Sequence, residues 1–285
     1  MPALGLIALA AAALFTGFVI SQRRTDPART NRLEVVVVNV GEGESSVIRT
    51  PDGHVVLIGA GPPGQGRRIF ETLEELGAHH IDLLILPYPY AEAIGGTVEL
   101  LSSLRIGTVI ESGGPAVNQW QEHIRTECRR RGIRVEIGRA GESILLGGAR
   151  VSLLAPGAAR VLTAPTAANN SLVVRLQWQA THFLFAGGID RAGEDALLSR
   201  GGDLCANWLR IARFGVDTAT SAEFLERVSP EISVVSVGQN QNGYPAPGVI
   251  ARIAAAGSKI YRTDARPDNL YFWSDGARVG IASSP

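Results

Sequence analysis

The chain is 285 residues long, 45% hydrophobic, 19% charged and 6% aromatic, which excludes a disordered or collagen-like polypeptide and leaves room for one large domain or two small ones. Its 27 basic and 27 acidic side chains cancel, so the whole-chain field offers no general attraction for nucleic acid. The cancellation hides an asymmetry: Arg23, Arg24, Arg29 and Arg32 face Asp26 alone at the start, and the body from Leu33 onward is mildly acidic.

Residues 3–20 read ALGLIALAAAALFTGFVI, without a charge, enough as a helix to cross about 27 Å of hydrocarbon. Nothing basic precedes the run and it ends in FVISQRR, unlike a cleaved signal peptide. The expected organisation is a transmembrane anchor over 1–21, a polar linker over 22–32 punctuated by Pro27, and one folded domain over 33–285. The chain would thus be a single-pass membrane protein held through its N-terminal helix. The arginines that follow the apolar run favour a cytoplasmic body.

Beyond the linker, LEVVVVNV, SSVIRT and HVVLIG are β-branched runs, and the PDG turn at 51–53 joins the second and third as a hairpin. Helical and extended patterns then alternate from Arg67 to Gly138: RRIFETLEELG, IDLLILP, TVELLSSL, IGTVIES, NQWQEHIRTECRRRG and IRVEIG. A strand-rich middle follows, with SILLGG, RVSLLAP and the hairpin SLVVRLQW–HFLFAGG. The last third alternates again: EDALLSR helical, NWLRIAR extended, AEFLERV helical, ISVVSVG extended, PGVIARIAAAG helical, then KIYRT and LYFWSDG as closing strands. Two mixed halves, each starting with hairpins, predict an α/β fold in four layers, an αββα sandwich of two sheets between helices. Cys128 and Cys205 fall in a helix-like and a strand-like segment without short spacing, so both read as buried free thiols.

Gly59, Gly61 and Gly64 satisfy G-x-G-x-x-G. A dinucleotide site needs that motif after the first strand of a βαβ unit, with an acid about 20 residues on at the end of the next strand. Here the preceding strand is third in a meander, two prolines occupy the loop, and Asp82 opens the next strand, so a plain loop is the better reading.

The order of these elements, with LEVVVVNVGEGESSVIRTPDGHVVLIGAG, resembles the metallo-β-lactamase-fold domain at the C-terminal end of ComEC-type DNA-uptake competence proteins. That family reads D-V-G-Q-G-D, I-R-T-P-D-G and L-I-D-G-G there. IDLLILPYPYAEAIGG is similar to its L-T-H-P-H-A-D-H-I-G-G, NNSLVVRL to its N-N-S-L-V-L-R-L, and HFLFAGGID to its F-L-L-T-G-D-I. NWLRIARFG is similar to the segment ending L-K-V-P-H-H-G-S. The preceding apolar helix resembles the last membrane helix of those transporters, which implies a body on the outer face, against the arginine flank.

In the family, H-x-H-x-D-H and later His and Asp residues grip one or two divalent metals that make hydroxide from water. The resemblance places Tyr88, Tyr90, Glu92 and Ala93 at the first motif, Gly188 at the aspartate of T-G-D, Arg213 and Phe214 at the H-H pair, and Tyr244 at a later histidine. Gly59 stands at the structural aspartate of L-I-D-G-G. His54, His79, His80, His123 and His182 all lie elsewhere. The expectation is a degenerate site with no metal, no cofactor and no catalytic residue, filled by tyrosines and an Arg213–Glu92 ion pair in place of the metal's charge. Asn169, Asn170 and Ser171 match the family and could line the old cleft or form a turn. Ser45 and Ser46, beside Glu42 and Glu44, read as loop and strand residues rather than nucleophiles. Asp190 and Glu194 suit a helix start, and the arginines at 129–131 a helix end.

The expected function is therefore that of a pseudoenzyme: an anchored binding or structural component with a protein partner, as in a larger membrane assembly. The alternatives are a ComEC-like hydrolase or nuclease, and a DNA-binding accessory in DNA uptake that uses the arginines of the 125–134 helix.

Overall fold

In the structure, a computed structural model that describes residues 31–113, 118–157 and 167–284, the first β-branched runs form an antiparallel meander. Its strands are β1 (Leu33–Val37), β2 (Ser45–Arg49) and β3 (Val55–Ala60). Helices α1 (Gly66–Glu75), α2 (Ala91–Ile94), α3 (Thr97–Ser103) and α4 (Gln119–Arg130) then alternate with strands β4 (His80–Leu86), β5 (Arg105–Glu111) and β6 (Arg134–Ile137). Strands β3 to β6 run parallel, as crossovers through helices require.

A second meander of β7 (Ser143–Leu146), β8 (Ala149–Ala155), β9 (Val173–Trp178) and β10 (Thr181–Phe185) opens the other sheet. Helices α5 (Arg191–Ser199), α6 (Ala222–Val228) and α7 (Pro247–Ala255) connect the parallel strands β10, β11 (Trp208–Arg210), β12 (Ile232–Val235) and β13 (Lys259–Arg262). The chain finally crosses back: β14 (Leu270–Ser274) pairs antiparallel with β1, and β15 (Val279–Ala282) with β14. The sheet orders are β15-β14-β1-β2-β3-β4-β5-β6 and β13-β12-β11-β10-β9-β8-β7.

Side-chain alternation explains the layers. Val35, Val37, Ile48, Val56 and Ile58 of the first sheet meet Val174, Leu176, Phe183, Phe185 and Trp208 of the second in an inter-sheet core. The opposite faces take helices: Val36, Val47 and Leu57 pack with Ile69, Leu73, Leu100 and Ile124, and Leu184, Leu209 and Val235 with Leu197, Phe224 and Ile253. This is the four-layer sandwich expected from the alternation.

The closing strands differ from expectation. KIYRT stays in the second sheet while LYFWS crosses to the first, and Val279–Ala282 adds a strand that the glycine-interrupted RVGIA segment did not suggest. Within NWLRIAR the strand covers Trp208–Arg210. The expected membrane helix at 3–20 lies outside the described residues; among those described, no helix is long and apolar enough to cross a membrane.

Both cysteines are free, but Cys205 is exposed, in the connection before β11 rather than in a strand, while Cys128 is buried on α4. Burial pushes the Cys128 thiol up to about 11, and the carboxylates of Glu111 and Glu127 add to the shift. A thiol reagent near neutral pH is therefore expected to label the native protein rapidly at Cys205 alone, with Cys128 reacting after denaturation. Two rapidly reacting thiols in the native protein would contradict this placement.

Candidate functional site

Because β3 to β6 and β10 to β13 run parallel, the loops after β4, β10, β11 and β12 gather at one pole of the sandwich, and the β1–β2 loop joins them. Backbone hydrogen bonds stitch these loops together. Glu44 N–H donates to the Glu92 carbonyl at 2.9 Å, Gly61 N–H to the Glu44 carbonyl at 2.8 Å and Leu172 N–H to the Pro87 carbonyl at 2.8 Å. The Ser236 hydroxyl donates to the Gly43 carbonyl at 2.9 Å. Tyr88, Tyr90, Glu92, Gly188, Arg213, Phe214 and Tyr244, scattered over the sequence, all lie on these loops.

Beneath the loops, the strand pattern places a charge inside. Trp208 and Arg210 are two residues apart on β11 and share its inner face, and Trp208 packs on Phe183, Phe185 and Phe272. The Arg210 guanidinium therefore points between the sheets, where it is 2% exposed and lies 2.5 Å from Oε1 of Glu44, itself 1% exposed. Burial holds the Glu44 carboxyl above its ordinary value, against the attraction of Arg210 and the Tyr88 hydroxyl that reaches it. Burial likewise drives the Tyr88 hydroxyl well above its ordinary value, and the charges of Glu44 and Glu92 add to this. The charge buried at this pole is thus neutralised by Arg210 and Glu44, a pair the sequence reading passed over. An arginine on the inward phase of an apolar strand is the signal that marks it, since a buried charge requires a partner. In the family pattern quoted above, these positions hold a lysine and an aspartate.

The expected Arg213–Glu92 ion pair gives way to another. Arg213 lies 3.5 Å from Oδ2 of Asp190. Its N–H is already tied to the Gly187 carbonyl at 3.4 Å, which puts the guanidinium on the Asp190 side. Arg213 and Phe214 both take left-handed backbone angles, φ +45° and +59°, costing about 1–2 kcal/mol each. The rings of Phe214 and Tyr244 lie 6.4 Å apart. Tyr90 accepts a hydrogen bond from Ala167 N–H at 3.2 Å and meets Tyr88 edge-on.

The family-matched Asn169 and Ser171 turn out to be braces. Asn169 Oδ1 accepts from Asp190 N–H at 2.9 Å and Gly193 N–H at 3.2 Å, and Ser171 Oγ accepts from Gly188 N–H at 2.9 Å. Asn170 sits buried in the same turn. Asp190 caps α5 by accepting from Ala192 N–H. Glu194 does more than suit a helix start: fully buried, it accepts from the N–H groups of Thr220 and Ser221 and so clamps the loop before α6.

A catalytic metal at this pole would need several donors turned toward one point. Ala93 is buried in the helix-side core and offers no donor. A side chain at Gly188 would start 2.9 Å from Tyr88 Cδ1 and 3.0 Å from Ala168 Cβ. Tyr88 offers a phenol, which ligates a divalent metal poorly at neutral pH. Arg213 and Arg210 bring positive charge. Among the described residues no three His, Cys, Asp or Glu side chains group to hold a metal ion. The residues at the expected positions do not fit a metal centre.

No family model matches the chain. It is 27% identical over 253 residues to competence protein ComA of Neisseria gonorrhoeae, covering 88% of this chain and 33% of that protein. It is 22% identical over 275 residues to ComE operon protein 3 of Bacillus subtilis strain 168, covering 90% and 35%. The chain thus spans about a third of the length of these relatives. Among solved structures it resembles the metallo-beta-lactamase fold protein YhfI of Bacillus subtilis, with TM-score 0.55 and 9% identity, covering 81% of this chain and 95% of that one. A variant of CmlA beta-hydroxylase follows with TM-score 0.52 and 15% identity, covering 80% and 52%. These likenesses are of fold alone.

Proposed function

We propose that this metallo-β-lactamase-fold domain, a relative of the ComEC-type competence proteins, is a membrane-tethered component without hydrolytic activity, and that it binds a protein partner through the pole where the fold's chemistry is expected. The observation that carries the reading is the donor set at that pole. Phenol, alanine, glycine and guanidinium stand where imidazoles and carboxylates would be needed, over a buried Arg210–Glu44 pair. Function follows the site rather than the fold. The tether rests on the uncharged run at 3–20 and the arginines after it.

Three of the arginines along and just after α4 do not favour the nucleic-acid alternative. Arg125 lies 2.6 Å from Glu111, and Arg130 and Arg131 lie 2.8 and 3.4 Å from Glu127, so these charges are answered within the domain rather than held out for phosphates.

The test is turnover of a generic phosphodiester by the full chain in mild detergent, with zinc or manganese added. No metal-dependent rate above the protein-free control is expected. Saturable turnover abolished by a chelator would overturn the reading.

A further inference from the structure

A strand at a sheet edge presents unpaired backbone groups, and charges on it ordinarily blunt pairing with another chain. Among the described strands, β6 and β15 lie at the edges of the first sheet and β7 and β13 at those of the second. β7 (SILL) and β15 (VGIA) carry no charge, and β13 (KIYR) carries like charges only. The β6 segment differs. Residues 133–137 read IRVEI, apolar at both ends and at the centre, with opposite charges between. An antiparallel copy centred on Val135 therefore sets Arg134 opposite Glu136, Ile133 opposite Ile137, and Val135 opposite itself.

The backbone is in phase with that image. Gly138 N–H, just past the strand, donates to the Glu111 carbonyl of β5 at 2.9 Å. Backbone groups alternate in direction along a strand, so Arg134 and Glu136 bond toward β5, while the N–H and C=O of Val135 and Ile137 point away from it. Two copies would exchange both Val135 hydrogen bonds across a two-fold axis, and each Ile137 N–H would reach the Ile133 carbonyl of the second copy. Arg134 and Glu136 then meet as the closer kind of opposed pair, with Cα atoms about 4.5 Å apart. The strand is open along its length. Ile137 is 49% exposed at one end. Arg134 and Glu136, 2.6 Å apart on one face, are 76% and 40% exposed, and Ile133 and Val135 are half-buried on the other face, beside Ile124 and Cys128 of α4.

We propose that β6 is a dimerisation edge, at which two copies of this chain pair antiparallel about Val135. Such a two-fold interface is self-complementary and makes each Arg134–Glu136 contact twice. Exposed ion pairs add little affinity, so the charges select the partner and the register, while backbone hydrogen bonds and isoleucine contact hold the two strands. The inference uses none of the residues of the pole and does not depend on how they are read.

Sedimentation equilibrium of the full chain in a density-matched mild detergent tests it. A reversible monomer–dimer equilibrium is expected. Arg134→Glu and Glu136→Arg each weaken it about tenfold, because each sets like charges opposite one another twice. An equimolar mixture of the two variants recovers the wild-type dimer constant, and so does the Arg134→Glu/Glu136→Arg double variant. Recovery in the mixture also shows that neither variant lost dimerisation through misfolding. A chain that stays monomeric at every concentration would overturn the proposal, as would a dimer indifferent to both reversals or a mixture that fails to recover.

Discussion

Replacing Arg210 by methionine while Glu44 stays is expected to cost the domain about 3–5 kcal/mol, because it strands a carboxylate inside the sandwich. The pair is 2% and 1% exposed, and water cannot screen or replace the missing partner. The Glu44→Leu/Arg210→Met double variant should recover much of that loss, since two apolar residues remove both desolvation costs together. Urea unfolding of the four species gives the coupling directly. If the double variant loses as much as the sum of the single variants, the pair is not coupled and the account of the pole is wrong.

The pH dependence has a definite sign. Burial raises the folded value of the Glu44 carboxyl above its unfolded one, despite Arg210. Such a group contributes stability in full below the unfolded value and loses it as pH rises through the folded one. Without Arg210 the shift widens, so the deficit of Arg210→Met should grow from mildly acidic to mildly alkaline pH.

Gly59→Asp, which restores the family's aspartate in L-I-D-G-G, should be destabilising by about 3 kcal/mol or more, from left-handed backbone strain and overpacking together. The backbone there has φ +71°, and a Cβ would fall 2.3 Å from the Glu44 carbonyl oxygen. Gly59→Ala should cost nearly as much, because the cause is the backbone and the first carbon rather than the charge. A thermal unfolding midpoint unchanged in either variant would refute the geometry. Gly188→Asp meets Tyr88, Ala168 and Ser171 without a left-handed backbone and should cost about 1–3 kcal/mol. Packing has thus closed Gly188, where the resemblance places a ligand aspartate, and Gly59, where it places a structural one.

Local physics made much of this legible in the sequence. β-branched runs with a PDG turn became β1 to β3, and alternating periods became two sheets flanked by helices. The pole could be located because each tyrosine, glycine and arginine in question follows a strand end. The Arg210–Glu44 pair was not legible, because its partners are 166 residues apart and meet only when the sheets close. Its half-signal, an arginine on the same strand face as Trp208, went unread in NWLRIAR. The return of β14 to β1 was hidden for the same reason: LYFWS reads as a strand, but nothing local states which sheet it joins. Arg213 was read as the partner of Glu92 from its position alone, whereas the backbone tie to Gly187 directs it to Asp190. Glu194 looked like a helix-dipole residue because the N–H groups that donate to its carboxylate, those of Thr220 and Ser221, lie far along the chain.

If the pole holds no metal, as proposed, the zinc retained by the full chain after equilibration with excess zinc and desalting, counted by elemental analysis, reports it. Well below one zinc per chain is expected, with the same trace in Tyr88→Phe as in wild type. One zinc retained per chain and released by Tyr88→Phe or Glu92→Gln would contradict it.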